Sequence, residues 1–228
     1  MKTFVYIFLL MFMLWFFMIL TVGCKTVSLT SGADQLYKTL PAAEVEVPKL
    51  SWESKEGRET WTQKVKQEIN ANYEAFDLSK DQLEFCPNYN SLLRPQRVYV
   101  WAEMVSLMAK YESSWNPATV FAEPSPLNVD SIGLLQLSYE DKGYAKFCDL
   151  SRKTNSLKNP IKNLECGVRI MAYWLKKDGQ LTSKAKNIGL ARYWAVMRPL
   201  KKGAPRESFT KIKSAMNNLP MCKKTQTP

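Results

Sequence analysis

The stretch MAKYESSWNP, residues 108–117, places a carboxyl group where an apolar helix face should continue. Val98, Trp101, Val105, Met108 and Glu112 follow one another at intervals of three, four, three and four, the spacing of one helix face. A carboxyl group held against methionine and tryptophan side chains loses solvation, which disfavours its charged form and raises its pKa. A carboxylic acid that keeps its proton near neutral pH can protonate a leaving oxygen, as cleavage of a glycosidic bond requires. The same spacing also fits a glutamate at a helix end that turns out to water. Position alone leaves both readings open.

The composition narrows the chemistry further. The chain has no histidine, so histidine triads and histidine metal ligands are excluded. Acid–base work must come from carboxylates, tyrosine or lysine. The five cysteines contain no CxxC pair, so no metal and no cofactor is expected. The net charge of +11 fits a nucleic acid, an anionic membrane surface or another polyanion, and fits a solvated lysine face equally well. Residues 4–22 carry no charge and follow Met1-Lys2, which reads as a signal h-region or a membrane anchor. A chain sent across a membrane meets little nucleic acid, and no arginine-rich, glycine-aromatic motif of the RNA-binding type is present. Nucleic acid is therefore not an expected partner.

The elements that must position Glu112 are helical. Residues 25–56 are polar and proline-containing and read as a tether. Trp61, Val65, Ile69, Tyr73 and Phe76 form an apolar stripe that predicts a helix from about residue 58, broken by FCPNY at 85–89. Pro95 suits the first turn of the helix that carries Glu112. Residues 113–131 are rich in proline, asparagine and serine and read as loop, and a short helix or turn should follow Gly133. A helix over 160–177 opens with proline, closes with lysine, and lines one face with Leu164, Val168, Met171 and Leu175. Residues 184–198 and 207–218 read as two further helices. No strand-like alternation persists. These elements predict a mainly α domain over residues 58–222, preceded by a signal peptide (1–23) and a tether (24–57) and followed by a short tail (223–228).

Two resemblances add to this reading. LTVGC at residues 20–24 resembles the lipobox of bacterial lipoproteins, although Thr21 stands where leucine is most usual. Cleavage there makes Cys24 the lipid-bearing N-terminus, which implies a periplasm-facing lipoprotein of a bacterial envelope, with outer-membrane sorting permitted by Lys25. Cys86, Cys148, Cys166 and Cys222 then remain, an even number that reads as disulfides in an oxidising compartment, with three pairings possible.

ESSWNP (112–117), GLLQLS (133–138), NLECGVRIMAYWL (163–175) and ARYW (191–194) occur in this order. The set resembles the SLT-type lytic transglycosylases, lysozyme-like enzymes of the bacterial envelope, over about residues 98–200. The resemblance implies a goose-lysozyme-like fold with helices around a glycan groove. It implies cleavage of the MurNAc–GlcNAc β-1,4 bond of peptidoglycan, with peptidoglycan strands as partner. Glu112 matches the family's catalytic acid, and Ser113 follows it as a small polar residue that helps position the site. Gly133 and Gln136 match an element that lines the sugar groove. Tyr193 matches a tyrosine whose hydroxyl approaches the catalytic glutamate. Trp194 and Val196 depart from the asparagine and glycine of the family pattern. Trp194 reads either as a sugar-stacking surface or as core. Cys148 and Cys166 flank the loop beside the NLECG helix, so a bridge between them would pin that helix, and a Cys86–Cys222 bridge would tie the domain's ends.

The resemblance implies one catalytic carboxylate and a 1,6-anhydro product. A hydrolytic muramidase, acting on ordinary or modified peptidoglycan, needs a second carboxylate, for which Glu123, Asp130, Glu140 and Asp141 are the candidates. A non-catalytic peptidoglycan-binding lipoprotein is the remaining alternative. Glu112, Gln136 and Tyr193 together favour the enzyme.

Overall fold

The computed structural model describes residues 47–140 and 148–224. The expected signal peptide, Cys24, most of the expected tether and Asp141 lie outside them. The described residues form α1 (Glu59–Ala71), α2 (Tyr73–Asp77), α3 (Arg94–Ser113), α4 (Pro160–Asp178) and α5 (Glu207–Asn217), joined by short 3-10 turns and two small hairpins. The mainly helical class expected from the sequence is the one observed.

The centre of the fold is α3, whose 20 residues span about 30 Å. Every residue from Val98 to Ala109 is buried, so α3 is covered all round and is not the one-faced helix that the stripe suggested. α1 packs against both α3 and α4, and α5 packs against α3. The stripe of α1 buries Trp61, Val65 and Ile69 as expected. The helix breaks at Asn72, whose Nδ2 and backbone N–H both donate to the Glu68 carbonyl at 2.8 and 3.2 Å. Tyr73 and Phe76 therefore belong to a separate short helix.

The expected tether ends earlier than residue 57. Leu50 and Trp52 are buried, and the Ser51–Ser54 turn docks on α3. The backbone N–H of Ser51 donates to the Glu103 carboxylate at 2.9 Å, and that of Trp52 donates to Ser106 Oγ at 3.2 Å. Burial pushes the Glu103 carboxyl upward in pKa, and the Ser51 hydrogen bonds oppose that push.

α4 starts where its capping chemistry places it. Asn159 Oδ1 accepts from the Lys162 N–H at 3.1 Å, Pro160 fills the first turn, and Gly179 stands past the end at φ +64°. Its buried face carries Leu164, Val168, Met171 and Leu175, the residues expected.

Two segments differ from expectation. Residues 184–198 do not form a helix. They fold as two 3-10 turns, Gly189–Arg192 and Ala195–Met197. The stretch over 113–131 is not loop throughout: β1 (Val120–Ala122) pairs antiparallel with β2 (Asp130–Ile132), Phe121 opposite Ser131. A smaller hairpin pairs β3 (Leu200–Lys201) with β4 (Ala204–Pro205).

Two disulfides fasten the fold in the expected pairing. Cys86–Cys222 links positions 136 residues apart, and Cys148–Cys166 links α4 to the segment before it across 18 residues. In a chain-entropy estimate these loops are worth about 5 and about 3 kcal/mol.

Candidate active site

α3 delivers Glu112 in its last turn, and the helix stops one residue later because Ser114 and Trp115 turn to φ +54° and +62°. Ser114 N–H closes the end on the Lys110 carbonyl at 3.0 Å. Glu112 is half-buried and opens into a groove of about 690 Å³. Thr119, Val120, Phe121, Glu123, Gln136, Ser138, Tyr193 and Arg198 also line it. Burial pushes the Glu112 carboxyl up to about 7, and nearby Glu123 adds to the push. The Val196 backbone N–H, Arg198 and Arg206 pull the other way. The position at the negative end of the α3 dipole also disfavours the carboxylate.

The floor beside Glu112 is a tight turn, Gly133–Leu137, closed by a pair of hydrogen bonds between Ile132 and Leu137 at 2.8 and 3.0 Å. Gly133 sits at φ +81°, and a Cβ there would stand 2.3 Å from the Leu157 carbonyl and 2.4 Å from Asn163 Nδ2. Only glycine fits. Asn163, fully buried on α4, holds the turn with three hydrogen bonds. Its Oδ1 accepts from the Leu135 N–H at 2.9 Å, and its Nδ2 donates to the Ile132 and Leu157 carbonyls at 2.9 and 3.0 Å. Ser113 Oγ lies within 3.0 Å of the Leu134 carbonyl and of the Ala109 carbonyl, joining this turn to the end of α3.

The structure sorts the expected site residues into two groups. Glu112, Gln136 and Tyr193 meet in the groove. Gln136, itself at φ +49°, spends its Nε2 on the Gly133 and Thr119 carbonyls at 2.8 and 3.3 Å, so it braces the wall it lines. The Tyr193 hydroxyl accepts from the Ser138 N–H at 3.3 Å. Ser113 and Gly133 lie behind the surface and shape it without lining the groove, which corrects their expected place among the substrate contacts. Trp194 is corrected as well. Its ring is 1% exposed and its Nε1 donates to the Leu135 carbonyl at 2.9 Å, so it is core beneath the groove and no stacking surface.

Among the candidate second carboxylates, Glu123 lines the groove. The β1–β2 register places it there, its N–H donating to the Val129 carbonyl at 2.8 Å and its Oε1 accepting from Ser131 Oγ at 2.8 Å. Glu140 is drawn instead into hydrogen bonding with Ser138 Oγ and an ion pair with Arg152, which hold it below the usual carboxylate range. Asp130 lies on β2 between the groove-lining Val129 and Ser131 and is not itself in the wall.

Sequence reasoning missed three residues. Phe121 lines the groove and is 54% exposed, and its signal was an aromatic within a polar, proline-containing loop. Asn163 was visible as a poor helix former inside a helix start. Arg198 carried no sequence signal.

The transglycosylase SLT domain model matches residues 93–206, which includes α3, the Gly133–Leu137 turn, α4 and the Tyr193 segment. Among solved structures, the wild-type form 2 of DslA is 33% identical over 77% of this chain and 98% of its own, with a TM-score of 0.67. Two glutamate-to-glutamine mutants of DslA match at 32% and 33% identity, each over 76% of this chain and 97% of their own, with TM-scores of 0.66. No curated protein sequence matches. The motif order, the groove around Glu112 and these similarities agree: the chain belongs to the transglycosylase SLT domain family and is an enzyme of the lytic transglycosylase type.

Proposed function

We propose that the chain cleaves the MurNAc–GlcNAc β-1,4 bond of peptidoglycan, with Glu112 as the acid. The observation that carries this reading is a half-buried carboxyl group, raised to about 7, at the wall of an open groove. Glu112 donates its proton to the bridging oxygen as the C1–O bond breaks. The substrate's N-acetyl oxygen stabilises the positive charge that develops at C1. The Glu112 carboxylate then removes the C6 hydroxyl proton while O6 bonds to C1. A 1,6-anhydro end forms, no water is consumed, and Glu112 regains its proton. Tyr193 and Gln136 shape the wall against which the sugar rests.

A second reading is hydrolysis, and a specific observation favours it. Glu123 faces the same groove with its carboxylate fixed by Ser131. Paired carboxylates are the usual equipment of hydrolysing glycosidases, the second one activating a water at C1. The two glutamates altered in the DslA mutants are eleven positions apart, as are Glu112 and Glu123. The lipobox-like LTVGC supports attachment of this enzyme to a bacterial envelope membrane through Cys24, facing the periplasm.

Mass spectrometry of the soluble fragments released from peptidoglycan sacculi tests both readings. Anhydro-MurNAc ends from the wild type, absent with Glu112→Gln, are the expected result. Reducing MurNAc ends, lost with Glu123→Gln as well, would establish hydrolysis instead. Undiminished turnover by Glu112→Gln would remove Glu112 from the chemistry.

A further inference from the structure

The β3–β4 hairpin leaves the groove at Arg198 and is closed at its far end by Arg206, whose N–H donates to the Pro199 carbonyl at 2.9 Å. Arg198 lines the groove with Glu112. Its Nε is committed to the Ala191 carbonyl at 3.0 Å, which fixes the guanidinium plane and leaves its two terminal nitrogens to bind. The other groove-lining arginine, Arg192, is engaged by Asp178 at 2.6 Å. Arg198 forms no such ion pair among the described residues. The Nε of Arg206 is buried without a hydrogen-bond partner. Both arginines act on the Glu112 carboxyl, yet neither is ion-paired with it.

Glu123, on the same groove, is held by Ser131 Oγ and forms no ion pair with Arg198. A negatively charged ligand group entering the groove would meet an arginine without an ion-pair partner among the described residues. A planar guanidinium with one edge fixed presents two parallel donors, the geometry that binds a carboxylate in a fork.

Resting on the peptidoglycan reading, we propose that Arg198 is a specificity residue that binds a carboxylate carried by the lactyl side chain of muramic acid. That carboxylate is either the free lactyl group of stem-free glycan or one belonging to an attached stem peptide. N-acetylglucosamine carries neither, so Arg198 distinguishes the two alternating sugars and sets which glycosidic bond lies against Glu112.

The test is calorimetric binding of glycan fragments to the full chain carrying Glu112→Gln, compared with the same chain carrying Arg198→Ala or Arg198→Lys as well. Three tetrasaccharides serve as probes: stem-free with free lactyl carboxylates, stem-free with those groups converted to neutral amides, and stem-bearing. Arg198→Ala is expected to weaken a carboxylate-bearing probe about 10- to 100-fold and the neutral probe little. Arg198→Lys should restore part of the loss. A loss confined to the stem-bearing probe identifies the stem as the source of the carboxylate, a loss confined to the stem-free acid identifies the free lactyl group, and a loss on both shows that Arg198 takes either carboxylate. Equal loss on the acidic and neutral probes, or no loss on any, overturns the inference. Absence of all binding also overturns it. In that case, cleavage of sacculi by the wild type shows whether the peptidoglycan reading stands without it.

Discussion

The two walls of the groove are built differently. The Glu112 wall consists of the end of the most buried helix, a turn into which only glycine fits, and an asparagine whose three hydrogen bonds are all made inside the protein. The Glu123 wall is a hairpin of three-residue strands. Val120, Phe121 and Leu127 on it are 46%, 54% and 63% exposed. The first wall fixes the acid and its desolvation. The second offers apolar and acidic contacts on a surface that substitutions can change at little cost. Chemistry is held by the rigid side, and the choice of glycan is open to change on the exposed side.

Breaking the rigid wall should have the larger effects. Glu112→Gln is expected to lower turnover by about 10³-fold or more, as loss of a general acid does, with the fold intact by circular dichroism. The wild-type rate should fall as pH rises through about 7, where Glu112 loses its proton. Asn163→Ala leaves the Leu135 N–H and the Ile132 and Leu157 carbonyls without partners. A loss of about 2–4 kcal/mol in denaturant unfolding is expected, together with lost activity. Removing the Cys148–Cys166 bridge by paired serine substitution should cost about 3 kcal/mol, read as a lowered melting temperature.

Glu112 also gives a stability signature separate from turnover. Its folded pKa lies above the unfolded value, so the folded state is penalised as pH rises from about 4.5 to about 7. Glu112→Gln should therefore be more stable than the wild type at pH 8, by about 1–3 kcal/mol, and equal to it at pH 4. The exposed wall should show the smallest stability effects. Phe121→Ala is expected to raise KM several-fold while moving the melting temperature by less than about 2 °C. A collapse of stability on that change would erase the distinction between the walls.

The helices were legible because their apolar residues recur at helical spacing, as in Trp61-Val65-Ile69 and Leu164-Val168-Met171-Leu175. Residues 184–198 misled for a tertiary reason. Gly189 at φ +54° lies so close to the Gln180 and Leu181 carbonyls that no side chain fits, and its N–H donates to Asp178 at 2.7 Å. The Trp194 indole then reaches down to the Leu135 carbonyl. Contacts with distant segments, absent from any local pattern, replace a helix there with two turns. The same limit applies to the site. Glu112 could be read from the ordered motifs around it, its helix position alone leaving two readings, whereas Glu123 stood level with three other carboxylates until the hairpin register placed it in the groove.

Everything proposed for the groove depends on burial holding the proton on Glu112. The most direct measurement is an NMR titration of carboxyl-labelled glutamates in the folded domain, with Glu112→Gln assigning the resonance. A side-chain pKa near 7 for Glu112 is the predicted result. A value near 4.5, the ordinary value for a solvated glutamate, would contradict it and leave the groove without its acid.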